Sequence, residues 1–132
     1  MAGFSALAVQ KALVAKLAGD ATLMGLITAV YDFVPEDAVF PYLTLGDGVA
    51  RDYAVKDAKG MEHLLDLHFW SRGRGRKALL DIAERVYALL HEGTMTVTGH
   101  ALINMRVEAV ETELMADGIV WHGRMRVRVV VM

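Results

Sequence analysis

The stretch VWHGRMRVRVVVM, residues 120–132, constrains the fold more than any other part of the chain. Trp121, Met125, Val127, Val129 and Val131 fall on one side of an extended backbone, and His122, Arg124, Arg126 and Arg128 on the other. A period of two is that of a β-strand with one buried and one wet face. A second stretch, MEHLLDLHFWS (61–71), repeats the pattern. It sets His63, Leu65, Leu67 and Phe69 against Leu64, Asp66, His68 and Trp70. Upstream of the last strand, Ile103, Met105, Val107 and Ala109 alternate with Asn104, Arg106 and Glu108. MADG, ending at Gly118, is a turn signal, so 102–131 reads as a C-terminal β-hairpin.

Two segments carry the helical period instead. In residues 4–18, Ala6, Leu7, Val9, Leu13, Val14 and Leu17 form an apolar stripe that Gly19 ends. The reverse face, Ala8, Ala12 and Ala15 beside Ser5, Lys11 and Lys16, is smooth enough for close approach by a neighbouring subunit. Alanine is also simply a good helix former. In residues 75–91 the core stripe is Leu79, Ile82, Val86, Leu89 and Leu90, and Gly93 ends the helix. Asp81 and Arg85 stand at the spacing of an i,i+4 pair on its wet side.

Between the helices, Asp20 is placed to cap a short turn through Met24. A short strand follows at 29–33, then a loop around Pro35 and a strand at 41–46 that begins at Pro41. That strand is expected to break at Gly46 and release a polar, glycine-bounded loop, DGVARDYAVKDAKG, over 47–60. The order α–β–β–β–α–β–β predicts an α+β fold, a mixed or antiparallel sheet with two main helices largely on one face. A chain of 132 residues fits one domain, 1–132.

Hydrophobic residues make up 55% of the chain, yet no apolar run is long enough for a bilayer and the start lacks a signal peptide's basic residues. No membrane association is expected. The surplus apolar surface then points to an oligomer interface. Fourteen basic against sixteen acidic side chains, a net charge of −2, is not the balance of a dedicated nucleic-acid binder. The lack of cysteine excludes disulfides, thiolate metal sites and a cysteine nucleophile, and fits a reducing compartment.

The residues offer little chemistry. Ser5 and Ser71 are the only serines, and neither sits in a nucleophile elbow. The histidines at 63, 68, 91, 100 and 122 lack an i,i+4 pair, so neither a metal nor another cofactor is expected. GDGVAR has no third glycine and no following helix. RGRGRKALL opens a helix without P-loop spacing, and its charge opposes the helix dipole. Arg124, Arg126 and Arg128 form an outward row for which Glu108, Glu111 and Glu113 on the hairpin partner are cross-strand counterparts.

The segments ALVAKLAGD, VYDFVP, FPYLTLGDG, LDLHFWSRGRGRKALLDIAERVYALLHEG and ADGIVWHGRMRVRV occur in this order across nearly the whole chain. In order and spacing they resemble the siphophage tail completion proteins, also called tail terminators or tail-to-head joining proteins. Such proteins occur in long-tailed phages, prophages and phage-derived gene transfer agents. The resemblance implies an α+β subunit of a homo-oligomer, a six-membered ring at the tail–neck junction of a virion or phage-like particle, assembled in the bacterial cytoplasm. Such a ring stops polymerisation of the tail tube protein and presents a docking face to a neck, stopper or head-completion protein. DNA passes through its lumen without sequence-specific binding.

The resemblance brings no catalytic residues with it, so no enzyme is implied. Tyr31, Pro35, Phe40, Pro41, Tyr42, Gly46, Trp70, Gly75 and Gly118 stand as determinants of fold and interface. Expected interface residues are Ala8, Ala12 and Ala15 on the first helix and Asp47, Arg51, Asp52, Lys56 and Asp57 in the 47–60 loop. Arg72, Arg74 and Arg76 before the second helix and the row Arg124, Arg126 and Arg128 complete the set. The alternatives are a neck or head-completion (stopper or adaptor) subunit, and a small ligand-binding or hydrolase domain whose site converges only in three dimensions.

Overall fold

The two alternating stretches lie side by side in the sheet, in register from Met61 opposite Val131 to Arg72 opposite Val120. The computed structural model describes residues 3–132. Five strands form one sheet: β1 (Val30–Tyr31), β2 (Tyr42–Asp52), β3 (Met61–Arg72), β4 (Leu102–Leu114) and β5 (Val120–Val131). Their order is β1-β2-β3-β5-β4, parallel between β1 and β2 and antiparallel elsewhere. Helices α1 (Ala6–Ala18), α2 (Ala21–Met24) and α3 (Lys77–Leu90) complete the expected α+β architecture.

One sheet face is the core. Leu43, Leu67, Phe69, Met105, Met125, Val127 and Val129 pack against Val9, Leu13 and Leu17 of α1 and Leu79, Ile82, Val86 and Leu90 of α3. Full burial of each large side chain is worth about 1.5–3 kcal/mol relative to exposure, so this layer carries most of the driving force. Gly123 sits under α3: a Cβ there would stand 3.0 Å from Phe69 and 3.3 Å from Leu79.

Four local expectations are corrected. On α1, Leu7 is exposed while Ala12 is buried with Val9, Leu13 and Leu17. The helix has apolar residues on most sides, so its sequence fixes no single stripe; the core takes Val9, Ala12, Leu13 and Leu17, and Ser5 just before the helix is buried against His63. Second, β2 does not break at Gly46. It runs on to Asp52 through a bulge in which Gly46 and Asp47 together oppose Asp66. Glycine is needed there because a Cβ at Gly46 would enter the His68 ring.

Third, Arg85 leaves Asp81 for Asp20, which it meets through two hydrogen bonds of 2.7 and 2.8 Å. Asp81 takes Lys77 instead, at 2.8 Å. Fourth, β4 loses its simple alternation at two register shifts, between Leu102 and Asn104 and between Val107 and Ala109. Met105 and Val107 stay buried, but Ile103 is 53% exposed and Ala109 is also on the surface.

Candidate functional site

The outward face of the sheet is a charge ladder built by the strand order. Because β5 lies between β3 and β4, its outward arginines have carboxylates on both sides. Arg124 pairs with Glu111 of β4, Arg126 with Asp66 of β3 at 3.1 Å, and Arg128 with Glu62 of β3 at 2.5 Å. Glu62 also holds Arg51 of β2 at 2.7 Å. Hydrogen bonds first from Arg128 and then from Arg51 keep the Glu62 carboxyl below the usual glutamate range. All three arginines of the row are thus occupied by the chain's own carboxylates, only one of which lies on the hairpin partner.

At the other end of the ladder an aromatic stack continues it. His122 Nδ1 lies 2.8 Å from Glu113 and its Nε2 lies 2.7 Å from His68 Nδ1. The carboxylate accepts from His122 Nδ1, so between neutral rings His68 Nδ1–H donates to His122 Nε2. Trp70 stacks on His122 with ring centres 4.3 Å apart and donates its indole N–H to Thr44 at 3.1 Å. Burial, and then the nearby His122 charge, lower the His68 pKa. Sequence spacing misses this cluster. Its members stand on β2, β3, β4 and β5, and only the register brings them together.

The remaining expected interface residues do not form one site. Ala12 is buried and Ala8 half-buried, and only Ala15 of the three is exposed. They line a shallow groove between α1 and Thr96 and Thr98 of the loop after α3. Asp47 lies in the β2 bulge and Asp52 at the end of β2. Lys56 and Asp57 occupy the β2–β3 turn, closed by a Val55–Ala58 bridge, with Asp57 at φ 65°. Arg72 stacks over Phe40 and Arg76 over Trp121, each 4.9 Å from the ring centre. Arg74 is exposed between them.

One contact has the look of a hydrolytic pair. Ser5 Oγ lies 2.7 Å from His63 Nε2. Both residues are buried, and burial lowers the His63 pKa. The pair is a structural bond. Beside it a cavity of about 370 Å³ opens between α1 and β2, with Phe4, Leu13, Leu45, Val49 and Leu67 in its walls. Among the described residues, no three or more histidines and carboxylates gather as metal ligands, and no helix is long and apolar enough to cross a membrane.

Comparison with known proteins gives a consistent set of likenesses. The family model described as tail completion protein gp17 matches residues 11–132. The tail completion protein gp17 of Bacillus phage SPP1 is 27% identical over 121 residues, covering 92% of this chain and 90% of the relative. The solved structure of bacteriophage SPP1 gp17 aligns with a TM-score of 0.59 at 28% identity, over 93% of this chain and 88% of that one. A chain in the virion of a native gene transfer agent particle shares the fold, with a TM-score of 0.87 at 23% identity over 96% of both.

Proposed function

The chain belongs to the tail completion protein gp17 family, and we propose that it is the tail terminator of a phage-like particle. In this reading, residues 1–132 form a single domain whose copies close into a hexameric ring. The ring caps the tail tube, stops its polymerisation and offers a docking face to the neck or head-completion protein. DNA passes through the lumen. The role is structural, in tail completion, and not enzymatic.

The observation that carries the reading is the near full-length correspondence to SPP1 gp17 in both sequence and fold. The proposed function then needs no element beyond those the two chains share. The neutralised arginine row supports it physically. A free row of arginines facing DNA would hold phosphates by counterion release and retard passage. Here each of the three is held by a carboxylate. A closed ring requires heterologous contacts, in which one patch of a subunit meets a different patch of the next. Ala15, Asp47, Arg51, Asp52, Lys56, Asp57, Arg72, Arg74 and Arg76 are exposed and open to such contacts.

Native mass spectrometry of the chain, alone and mixed with its tail tube protein, tests the ring. A hexamer in either sample is expected. A monomer in both would overturn the assignment.

A further inference from the structure

We infer that the outward side of α1 in one copy packs against the seam between α3 and β4 in the next, and that this contact closes the ring; the inference rests on the tail-terminator reading. The first surface is apolar and basic. Phe4 and Leu7 are 77% and 61% exposed, and Lys11 and Ala15 follow them at helical spacing on the same side. The helix carries no acidic residue, and Lys11 has no ion-pair partner among the described residues.

The second surface is apolar, with the Glu84 carboxylate in its middle and the Arg76 guanidinium at one end. Leu80, Glu84 and Tyr87 are exposed along one flank of α3, at i, i+4 and i+7. Arg85, on the opposite flank, reaches Asp20 beside α1, so the exposed flank turns away from α1. It turns toward β4 instead. Tyr87 stacks on His91, and His91 Nδ1 accepts the Val107 N–H of β4 at 3.1 Å. At the other end of the helix Arg76 covers Trp121, the cross-strand partner of Leu114. Across this seam Val110 and Leu114 occupy the core side of β4, in register with the buried Met125 and Trp121, yet both are exposed. Glu84 has no ion-pair partner among the described residues.

The two surfaces match in apolar character, and Lys11 of the first is complementary to Glu84 of the second, each standing among exposed large apolar groups. Burying the apolar groups supplies affinity, and the opposed charges select the register. A second copy is the occupant that satisfies both at once. Every subunit carries both halves at separate places, so a closed ring leaves neither half uncovered.

The chain has no cysteine, so an engineered pair gives an unambiguous cross-link. With Leu7→Cys and Leu80→Cys together, oxidation of the chain assembled with its tube protein should give a covalent ladder up to the hexamer. Either single variant should give none, because a heterologous contact brings no residue against itself. Lys11→Glu or Glu84→Lys alone should lower ring yield about tenfold, and the two together should restore most of it. Rings that form without a ladder, or charge variants that do not compensate each other, would overturn the inference and leave the ring standing. A cross-link from Leu7→Cys to a cysteine placed in the tube protein would also overturn it. A chain that stays monomeric in every mixture would remove the ring reading as well.

Discussion

The Arg85 guanidinium grips both carboxylate oxygens of Asp20 across 65 positions of sequence. The same carboxylate accepts the Leu23 N–H at 2.8 Å and so caps α2, joining the α1–α2 corner to the middle of α3. Arg85, and then the Leu23 N–H, pull the Asp20 pKa from 3.8 down to about 2.

A depressed carboxyl stabilises the fold above its unfolded pKa and stops doing so as the pH falls through its folded value. The Asp20 contribution is therefore full above pH 3.8 and is lost as the pH falls to about 2. Asp20→Asn keeps an acceptor for the cap and loses the charge, whereas Asp20→Ala loses both. Thermal melts at pH 7 should rank wild type above Asn above Ala, with the Ala variant lower by about 5 °C. The gap between wild type and Asn should close as the pH falls through about 2, whereas the gap between Asn and Ala, which reports the uncharged cap, should remain.

The Ser5–His63 bond makes a second prediction. Ser5→Ala leaves a buried imidazole without its partner and should cost about 1–3 kcal/mol in urea denaturation. His63 and His68 both have lowered pKa values, first through burial, so the fold holds them neutral while the unfolded chain takes up protons below 6.5. Their contribution is full above pH 6.5 and declines as the pH falls below it. Stability measured at pH 5 should lie below that at pH 7.5, and replacing His63 with a residue that does not titrate should flatten part of the slope.

Gly60 is buried where the β2–β3 turn meets the end of the chain, and a Cβ there would enter the van der Waals shell of the Val131 carbonyl oxygen. A rigid backbone oxygen cannot yield as a side chain does. Gly60→Ala should destabilise by about 1–3 kcal/mol, as overpacking does. Gly3→Ala, which meets nothing within 4 Å, is the matched control and should change nothing.

The arginine ladder should respond unevenly. The Asp66 side chain is only 7% exposed, so removing Arg126 leaves a buried carboxylate without its ion-pair partner. The Glu111 side chain is 63% exposed, and water replaces Arg124 there. Arg126→Ala should cost about 1–3 kcal/mol, while Arg124→Ala should leave the denaturation midpoint nearly unchanged.

Where sequence alone was enough, the chain had one buried and one wet face. On β5 the residues expected inward are all buried, and on β3 His63, Leu67 and Phe69 are, although Asp66 and Val130 are also buried on the other face. The α3 stripe is equally plain, because charged residues mark its wet side. α1 lacks that contrast, and its facing shows only in the packing of Val9, Ala12, Leu13 and Leu17 against the sheet and α3. Gly-Asp-Gly after Leu45 reads as a strand end because glycine disfavours strands. Pairing with β3 overrides that preference and turns Gly46 and Asp47 into a bulge. The arginine row was legible, but its partners were not. A hairpin names only β4 as neighbour, and the insertion of β5 beside β3 supplies Asp66 and Glu62. The surfaces at α1 and the α3–β4 seam were hidden for the same reason: their exposure follows from how the layers pack.

The central claim is that this chain stops the tail tube and joins it to the head. Electron microscopy of particles produced without it tests that claim most directly. The account predicts overlong tails that carry no heads. Tails of normal length, whether joined to heads or found beside leaking ones, would contradict it.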